Sequence, residues 1–284
     1  MGYTVEVYEQ EALYMPESAN TPYIVFDRAA DYYDATRGFP QGEEAAIAAR
    51  IAEVGNLNSS SRLLEVGIGT GRIALPLAAH VGRLCGVDLS RPMMGQLQMK
   101  AGAAAIRLSE ANALRLPFRR AAFDAVVLVH VLHLIADWQG VLGEIARVLP
   151  PDGLLLCGGD LGNALHSATF EPIWAAWRAA LPEGIAERIG LTQPVGEALP
   201  ALGWRPFGTP QQHTYLVQRS PHSVYQALAS RHWSSTWRLT DDQLAQGLAA
   251  VRSAITAHFP QPEVPLTVQS SFEVQAFQPP RTTH

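Results

Sequence analysis

Short apolar runs alternate with amphipathic stretches between about residue 42 and residue 160. The pattern predicts a helix over about 42–54 that ends near Gly55, then a strand at Arg62–Val66 and a helix at Arg72–Ala79. A second pair follows at Leu84–Val87 and Pro92–Ala101. Ala105–Leu108 is a weak third strand, and the valine-rich Ala125–Val129 a strong fourth. Gly140–Leu149 sets Val141, Leu142, Ile145, Val148 and Leu149 at helical spacing. Leu154–Cys157 reads as a fifth strand after the turn Pro150-Pro151-Asp152-Gly153. Strands that alternate with helices imply a parallel sheet with helices on both faces, and continuous apolar strands suit burial on both sides.

The flanks follow other patterns. Residues 1–22 are polar, contain Pro16 and Pro22, and read as an arm. Residues 23–37 are helical in part, with Gly38 and Pro40 as breakers. Beyond residue 160, Ala168–Leu181 and Ser220–His258 read as largely helical and carry Trp174, Trp177, Trp233 and Trp237. Two further strand-like runs lie at about 212–218 and 265–277. The organisation expected is one domain over 1–284, with an arm or lid at 1–40, a core at 41–160, and the remaining strands plus a helical cap at 161–284.

Composition narrows the class. The chain has 284 residues, 48% hydrophobic and 17% charged, enough apolar material for a large core and too little charge for a disordered chain. The net charge is -5 and the 21 basic residues are scattered, with Arg119-Arg120 the densest spot, which argues against a nucleic-acid partner. Cys85 and Cys157 sit in apolar runs and read as buried free thiols, and no cysteine cluster suggests a metal. No basic-then-apolar segment opens the chain and no apolar run reaches about 18 residues, so the cytoplasm is expected and a membrane is not.

The most informative stretch is Leu63-Leu64-Glu65-Val66-Gly67-Ile68-Gly69-Thr70-Gly71. A strand runs into a glycine-rich turn and a helix starts, so backbone can approach a ligand closely. A dinucleotide site wants G-x-G-x-x-G, whose third position here is Arg72; the glycines run G-x-G-x-G instead. Glu65 also puts a carboxylate beside the turn, which suits the ammonium of an amino-acid ligand better than a pyrophosphate.

Residues 65–71 resemble the glycine motif of class I S-adenosylmethionine-dependent methyltransferases, small-molecule members similar to methyltransferase type 11. Four more stretches agree in order. Gly86-Val87-Asp88-Leu89-Ser90 is similar to the acidic second-strand motif, and Ala111-Asn112-Ala113-Leu114-Arg115-Leu116-Pro117-Phe118 to the adenine-contacting loop. Phe123-Asp124-Ala125-Val126 opens the fourth strand as in that family, and Arg147–Gly153 resembles the turn before the fifth. The resemblance covers roughly residues 40–160. It implies a Rossmann-like, mostly parallel, seven-stranded sheet, and S-adenosylmethionine held by Glu65, Gly67, Gly69, Gly71, Asp88, Leu89, Asn112, Ala113, His130 and Arg37. The family usually has an aspartate where this chain has Asn112; the amide oxygen can accept the adenine amino group without charge.

In S-adenosylmethionine the sulfonium already activates the methyl group, so no obligatory catalytic residue is required. Candidates are His133 and His130 after the fourth strand, either of which can take a proton from a hydroxyl acceptor. His133 reads equally well as a packing or capping residue. Tyr33 and Arg37 belong to a Tyr-Asp-x-x-Arg segment similar to those that fold over the cofactor in related enzymes. Arg37 suits the methionine carboxylate and Tyr33 the methyl-donor site; an ordinary amphipathic helix is the alternative. The four tryptophans read as an acceptor pocket or as the core of a helical cap. The function expected is methyl transfer to a small molecule, oxygen and nitrogen acceptors favoured over carbon. The alternative is a regulatory protein that binds the cofactor without transfer. A nicotinamide-dependent oxidoreductase is disfavoured by the glycine spacing and Glu65. The sequence carries no signal for an oligomeric state.

Overall fold

In the computed structural model, which describes residues 23–102, 106–161, 167–182 and 189–281, α1 (Tyr33–Arg37) and α2 (Glu43–Val54) precede the sheet. The central alternation is β1 (Arg62–Val66), α3 (Ala74–Leu77), β2 (Arg83–Asp88), α4 (Arg91–Ala101), β3 (Ile106–Glu110), β4 (Ala125–Val129), α5 (Trp138–Val148) and β5 (Leu154–Leu161). Then come α6 (Glu171–Ala180), α7 (Val195–Ala201), β6 (Arg205–Arg219), α8 (Pro221–Ala229), α9 (Ser234–Trp237), α10 (Asp241–His258) and β7 (Leu266–Gln278).

The strands form one seven-stranded sheet in the order β3-β2-β1-β4-β5-β7-β6. The pairs β3–β2, β2–β1, β1–β4 and β4–β5 are parallel, and the last two pairs are antiparallel. This is the expected Rossmann-like, mostly parallel sheet. β1 lies between β2 and β4, so strand order reverses there. A crevice opens at the C-terminal ends of strands at such a switch point. The apolar stripe of α5, Val141, Leu142, Ile145 and Val148, shares one core with Leu64 and Val66 of β1 and Val126 and Leu128 of β4. A clasp fixes the opposite ends of β1 and β4. Asp124 accepts the Arg62 backbone N–H at 2.8 Å and its guanidinium through both oxygens, at 3.1 and 2.6 Å. The Arg62 bonds hold the Asp124 carboxyl below its ordinary range.

Two compact units divide the chain: Met1–Gly159 with Ile189–Gln211 and Val274–His284, and Asp160–Arg188 with Gln212–Glu273. In the second unit α6 packs on α10. Trp177 lies so close to Gly247 that a Cβ there would stand 2.5 Å from the ring. Trp174 and Trp233 meet edge-on with centroids 5.5 Å apart. All three tryptophans are buried, and Trp237 is half-buried. Thr240 and Gln243 form a capping box at the start of α10.

Some differences from the pattern have local causes. The helix after the glycine turn is only α3, followed by a 3-10 turn at Ala78–His80; Pro76 has no N–H for the Arg72 carbonyl, so the helix starts later than Arg72. α7 carries Pro200 in its interior and no strong apolar period announces it. β6 begins at Arg205 rather than near residue 212. Pro206 and Pro210 lie in the part of β6 before that residue; β6 is an edge strand, where a missing N–H is tolerated. β5 runs on past Cys157 to Leu161, and β3 continues to Glu110. The predicted arm at 1–22, and Ala105 at the start of the third strand, lie outside the described residues. Both cysteines are free and buried, and burial pushes the Cys157 thiol up to about 12.

Candidate active site

The glycine turn is knitted to β2. The amides of Gly67 and Ile68 both donate to the Val87 carbonyl, at 2.8 and 3.0 Å. Gly67, Gly69 and Gly71 all have positive φ, at 75°, 53° and 80°. A Cβ on Gly67 would stand 2.5 Å from Val131 Cγ2, and one on Gly71 would stand 2.2 Å from Leu97 Cδ1. The glycines thus let Val131, two residues past β4, and the buried face of α4 close on the turn.

Two carboxylates flank it. Glu65 is 3% exposed, and its Oε2 has no hydrogen-bond partner among the described residues. Burial pushes its carboxyl well above the usual range; nearby Arg72 pulls it down and nearby Asp88 pushes it up. Asp88 is half-buried. Its Oδ2 accepts Gly69 N–H at 2.8 Å and its Oδ1 accepts Ser90 N–H at 2.8 Å. Burial raises the Asp88 carboxyl, the amides of Ser90, Gly69 and Leu89 oppose the rise, and the carboxylate of Asp27 adds to it. Ser90 is fully buried and caps α4 by accepting Met93 N–H at 3.2 Å. Leu89 lies half-buried between Asp88 and that cap.

The loop after β3 returns to the same place. Ala111 N–H donates to the Asp88 carbonyl at 3.0 Å, and Ala113 is buried. Asn112 Oδ1 accepts Leu114 N–H at 2.9 Å. One lone pair of the oxygen expected to face adenine therefore serves a local turn, and the other is left for a ligand. Sequence reasoning missed what holds this loop. Arg147 donates to the carbonyls of Phe118 and Leu116 at 2.6 and 2.9 Å, and Glu144 accepts Leu116 N–H at 2.8 Å. Arg147 and Glu144 also pair with each other at 2.7 Å. The signal was present, since Arg147 opens one of the family-like motifs.

The histidines come together. His130 directly follows β4 with φ 58°, and its ring stands 6.3 Å from that of His133, nearly perpendicular to it. Both are half-buried. His133 sits in a 3-10 turn, Leu132–Leu134, pinned by the amides of Gly190 and Leu191, which donate to the carbonyls of His133 and Leu132 at 3.2 and 3.0 Å. Tyr33 and Arg37 lie on α1, half-buried, with Tyr33 edge-on to Phe26 at 6.0 Å. The Arg37 carbonyl accepts Arg72 Nη1 at 2.7 Å. Arg72, Thr70 and Asp34 in this contact zone are residues that motif reading passed over.

An unpartnered buried oxygen on Glu65 fits an ammonium, and the half-exposed carboxylate of Asp88 fits a pair of hydroxyls. The residues present thus fit S-adenosylmethionine. Residues 64–157 match the family described as methyltransferase domain. The chain is 34% identical over 137 residues to the demethylmenaquinone methyltransferase of Thermus thermophilus, across 46% of this chain and 62% of that one. The chain carries, at residues 64–157, a methyltransferase domain that is similar to the class I S-adenosylmethionine-dependent methyltransferases. Its match spans less than two thirds of that Thermus relative. The chain is also 29% identical over 269 residues to the nocamycin O-methyltransferase of Saccharothrix syringae, across 83% of this chain and 91% of that one. Its fold is shared with the [4+2]-cyclase SpnF, at a TM-score of 0.53 and 18% identity, over 92% of this chain and 99% of that one.

Proposed function

We propose that this chain binds S-adenosylmethionine in the crevice between the glycine turn, Asp88 and the loop at 111–118, and transfers its methyl group to a hydroxyl oxygen of a small organic molecule. The observation that carries the reading is Glu65, whose buried carboxylate Oε2, beside the glycine turn, has no partner among the described residues. An ammonium group supplies that partner, whereas a pyrophosphate would be repelled. Asp88 accepts ribose hydroxyls with its remaining lone pairs, Asn112 accepts the adenine amino group, and Arg37 pairs with the methionine carboxylate. Leu89 and Ala113 line the adenosine, and the His130 backbone lines the methionine end. When bound, the cofactor supplies a methyl group already activated by its sulfonium.

The chain's own task is to orient the acceptor, exclude water and move one proton. His133 is assigned the acceptor proton, with His130 beside it and Tyr33 covering the methyl position. Oxygen is the acceptor atom favoured, because the O-methyltransferase resemblance runs through 83% of this chain, whereas the Thermus resemblance covers 46%. A small molecule suits the net charge of -5 better than a nucleic acid. No helix among the described residues is long and apolar enough to cross a membrane, and the cytoplasm is the compartment proposed. The second reading, cofactor binding without transfer, draws on the fold shared with a cyclase.

Calorimetry with S-adenosylhomocysteine, with NAD as control, tests the cofactor. Binding to folded protein that excludes NAD supports the reading, and none overturns it. Labelled methyl transfer to a panel of phenols, enols and amines then separates transfer from mere binding. A His130→Gln, His133→Gln double variant with full activity would remove both histidines from the chemistry.

A further inference from the structure

The segment before α2 runs across the glycine turn, and its hydrogen bonds single out Asp34. Asp34 Oδ1 accepts the Thr70 hydroxyl at 2.5 Å, and Oδ2 accepts Lys100 Nζ at 2.5 Å. Thr70 is 1% exposed and lies between Gly69 and Gly71. Lys100 is in the last turn of α4. One carboxylate therefore joins α1, the glycine turn and α4. Further on, Arg72 holds the Arg37 carbonyl, and its guanidinium lies 4.4 Å over the Phe39 ring. Upstream, Ile24 N–H donates to the Leu134 carbonyl at 3.0 Å and Tyr23 bridges Ile135, beyond β4. Residues 23–39 are thus tied at both rims of the crevice, with Tyr33 and Arg37 on either side of Asp34. α1 has five residues and buries none of them, so neither helix length nor an apolar face holds it in place.

We propose that Asp34 is a positioning residue: its bonds to Thr70 and Lys100 latch the strap at 23–39 over the cofactor crevice and so hold Tyr33 and Arg37 at the site. The proposal rests on the cofactor reading above. The Thr70 bond matters more than the Lys100 pair, because the hydroxyl is buried while the Lys100 and Asp34 side chains are 35% and 44% exposed and their charges are screened. Release of the strap speeds ligand departure without removing any group that touches the ligand.

The test measures two quantities on full-length protein, with thermal melts as a fold control. One is the dissociation rate of S-adenosylhomocysteine. The other is the rate of tryptic cleavage after Arg28 and Arg37 without ligand. Asp34→Ala is expected to raise both, the dissociation rate by about tenfold. Thr70→Val should reproduce the effect, and the double variant should be no worse than either single one. Asp34→Asn, which keeps an acceptor for the Thr70 hydroxyl, should recover most of the loss. Unchanged rates in Asp34→Ala, or additive effects in the double variant, overturn the latch. A wild-type protein that binds no S-adenosylhomocysteine overturns the cofactor reading instead, and the ligand-free cleavage rates still decide the latch.

Discussion

Asp88 accepts the amide N–H of Gly69 at 2.8 Å, which ties the tip of β2 to the middle of the glycine turn 19 residues earlier. The carboxylate that would meet the ribose is therefore oriented by backbone before any ligand arrives. Its second oxygen is fixed in the same way by Ser90. Removing the side chain strips the ligand of its acceptor and leaves two amides to find water. Asp88→Ala is expected to weaken S-adenosylhomocysteine at least about tenfold and to cost about 1–2 kcal/mol of stability. Asp88→Asn, with one acceptor oxygen, should lie between. An unchanged dissociation constant in Asp88→Ala would take this residue out of the site.

Glu65 should behave in the opposite way toward stability. Its carboxyl is raised in the fold by burial. The unfolded chain ionises near the ordinary value, so the folded state binds the extra proton. Stability from this group is full below the unfolded pKa, falls as pH rises toward the raised folded pKa, and stays low above it. Glu65→Gln keeps the shape without the charge. At pH 7 the ligand-free variant should melt higher by a few degrees, on the order of 1 kcal/mol, with a flatter dependence on pH above about 5. Its affinity for S-adenosylhomocysteine should fall, because the ammonium loses its charged partner. A variant that melts lower than wild type at every pH would show that the buried carboxylate is satisfied in the ligand-free fold.

These two carboxylates were legible in the sequence because they sit at fixed offsets from the glycines on β1 and β2. The strands β1 and β4 were legible to the residue: β4 is a continuous apolar run between Asp124 and His130, and β1 is a short β run that leads into the glycine turn. The strap was not. Its bonds join Thr70 to Asp34 and Arg72 to Arg37, 36 and 35 positions apart, through a hydroxyl and a main-chain carbonyl that no periodicity marks. The first half of β6, with Pro206 and Pro210, was missed for a related reason: proline is acceptable at a sheet edge, and edge position is a property of the whole sheet. For the tryptophans, the two sequence readings were a pocket and a core. Burial puts Trp174, Trp177 and Trp233 in the core of the second unit.

Gly71 is held by packing as much as by any ligand. At φ 80° a side chain is strained, and its Cβ would stand 2.2 Å from Cδ1 of the fully buried Leu97. Gly71→Ala is expected to destabilise by about 3 kcal/mol, strain and overpacking together. Chemical denaturation reads the loss directly. Gly71→Ala combined with Leu97→Ala should cost less than the sum of the two single variants, because the second change vacates the space the new methyl needs. Strict additivity would assign the whole cost of Gly71→Ala to backbone strain.

His130 offers a cleaner separation of backbone from side chain. It has φ 58° directly after β4, in the region that glycine enters freely and other residues enter at a cost of about 1–2 kcal/mol. Such strain tends to be retained where it orients a functional group. His130→Gly and His130→Ala both delete the imidazole, which lies beside Gly159 and edge-on to His133. They differ in the penalty for a Cβ at positive φ. His130→Gly is therefore expected to be about 1 kcal/mol more stable than His130→Ala, although alanine is ordinarily the better of the two for entropy in the unfolded chain. Both variants should lose methyl transfer to the same extent if the side chain, and not the turn, serves the reaction. Equal or greater stability of the alanine variant in paired urea titrations would show that β4 ends without strain.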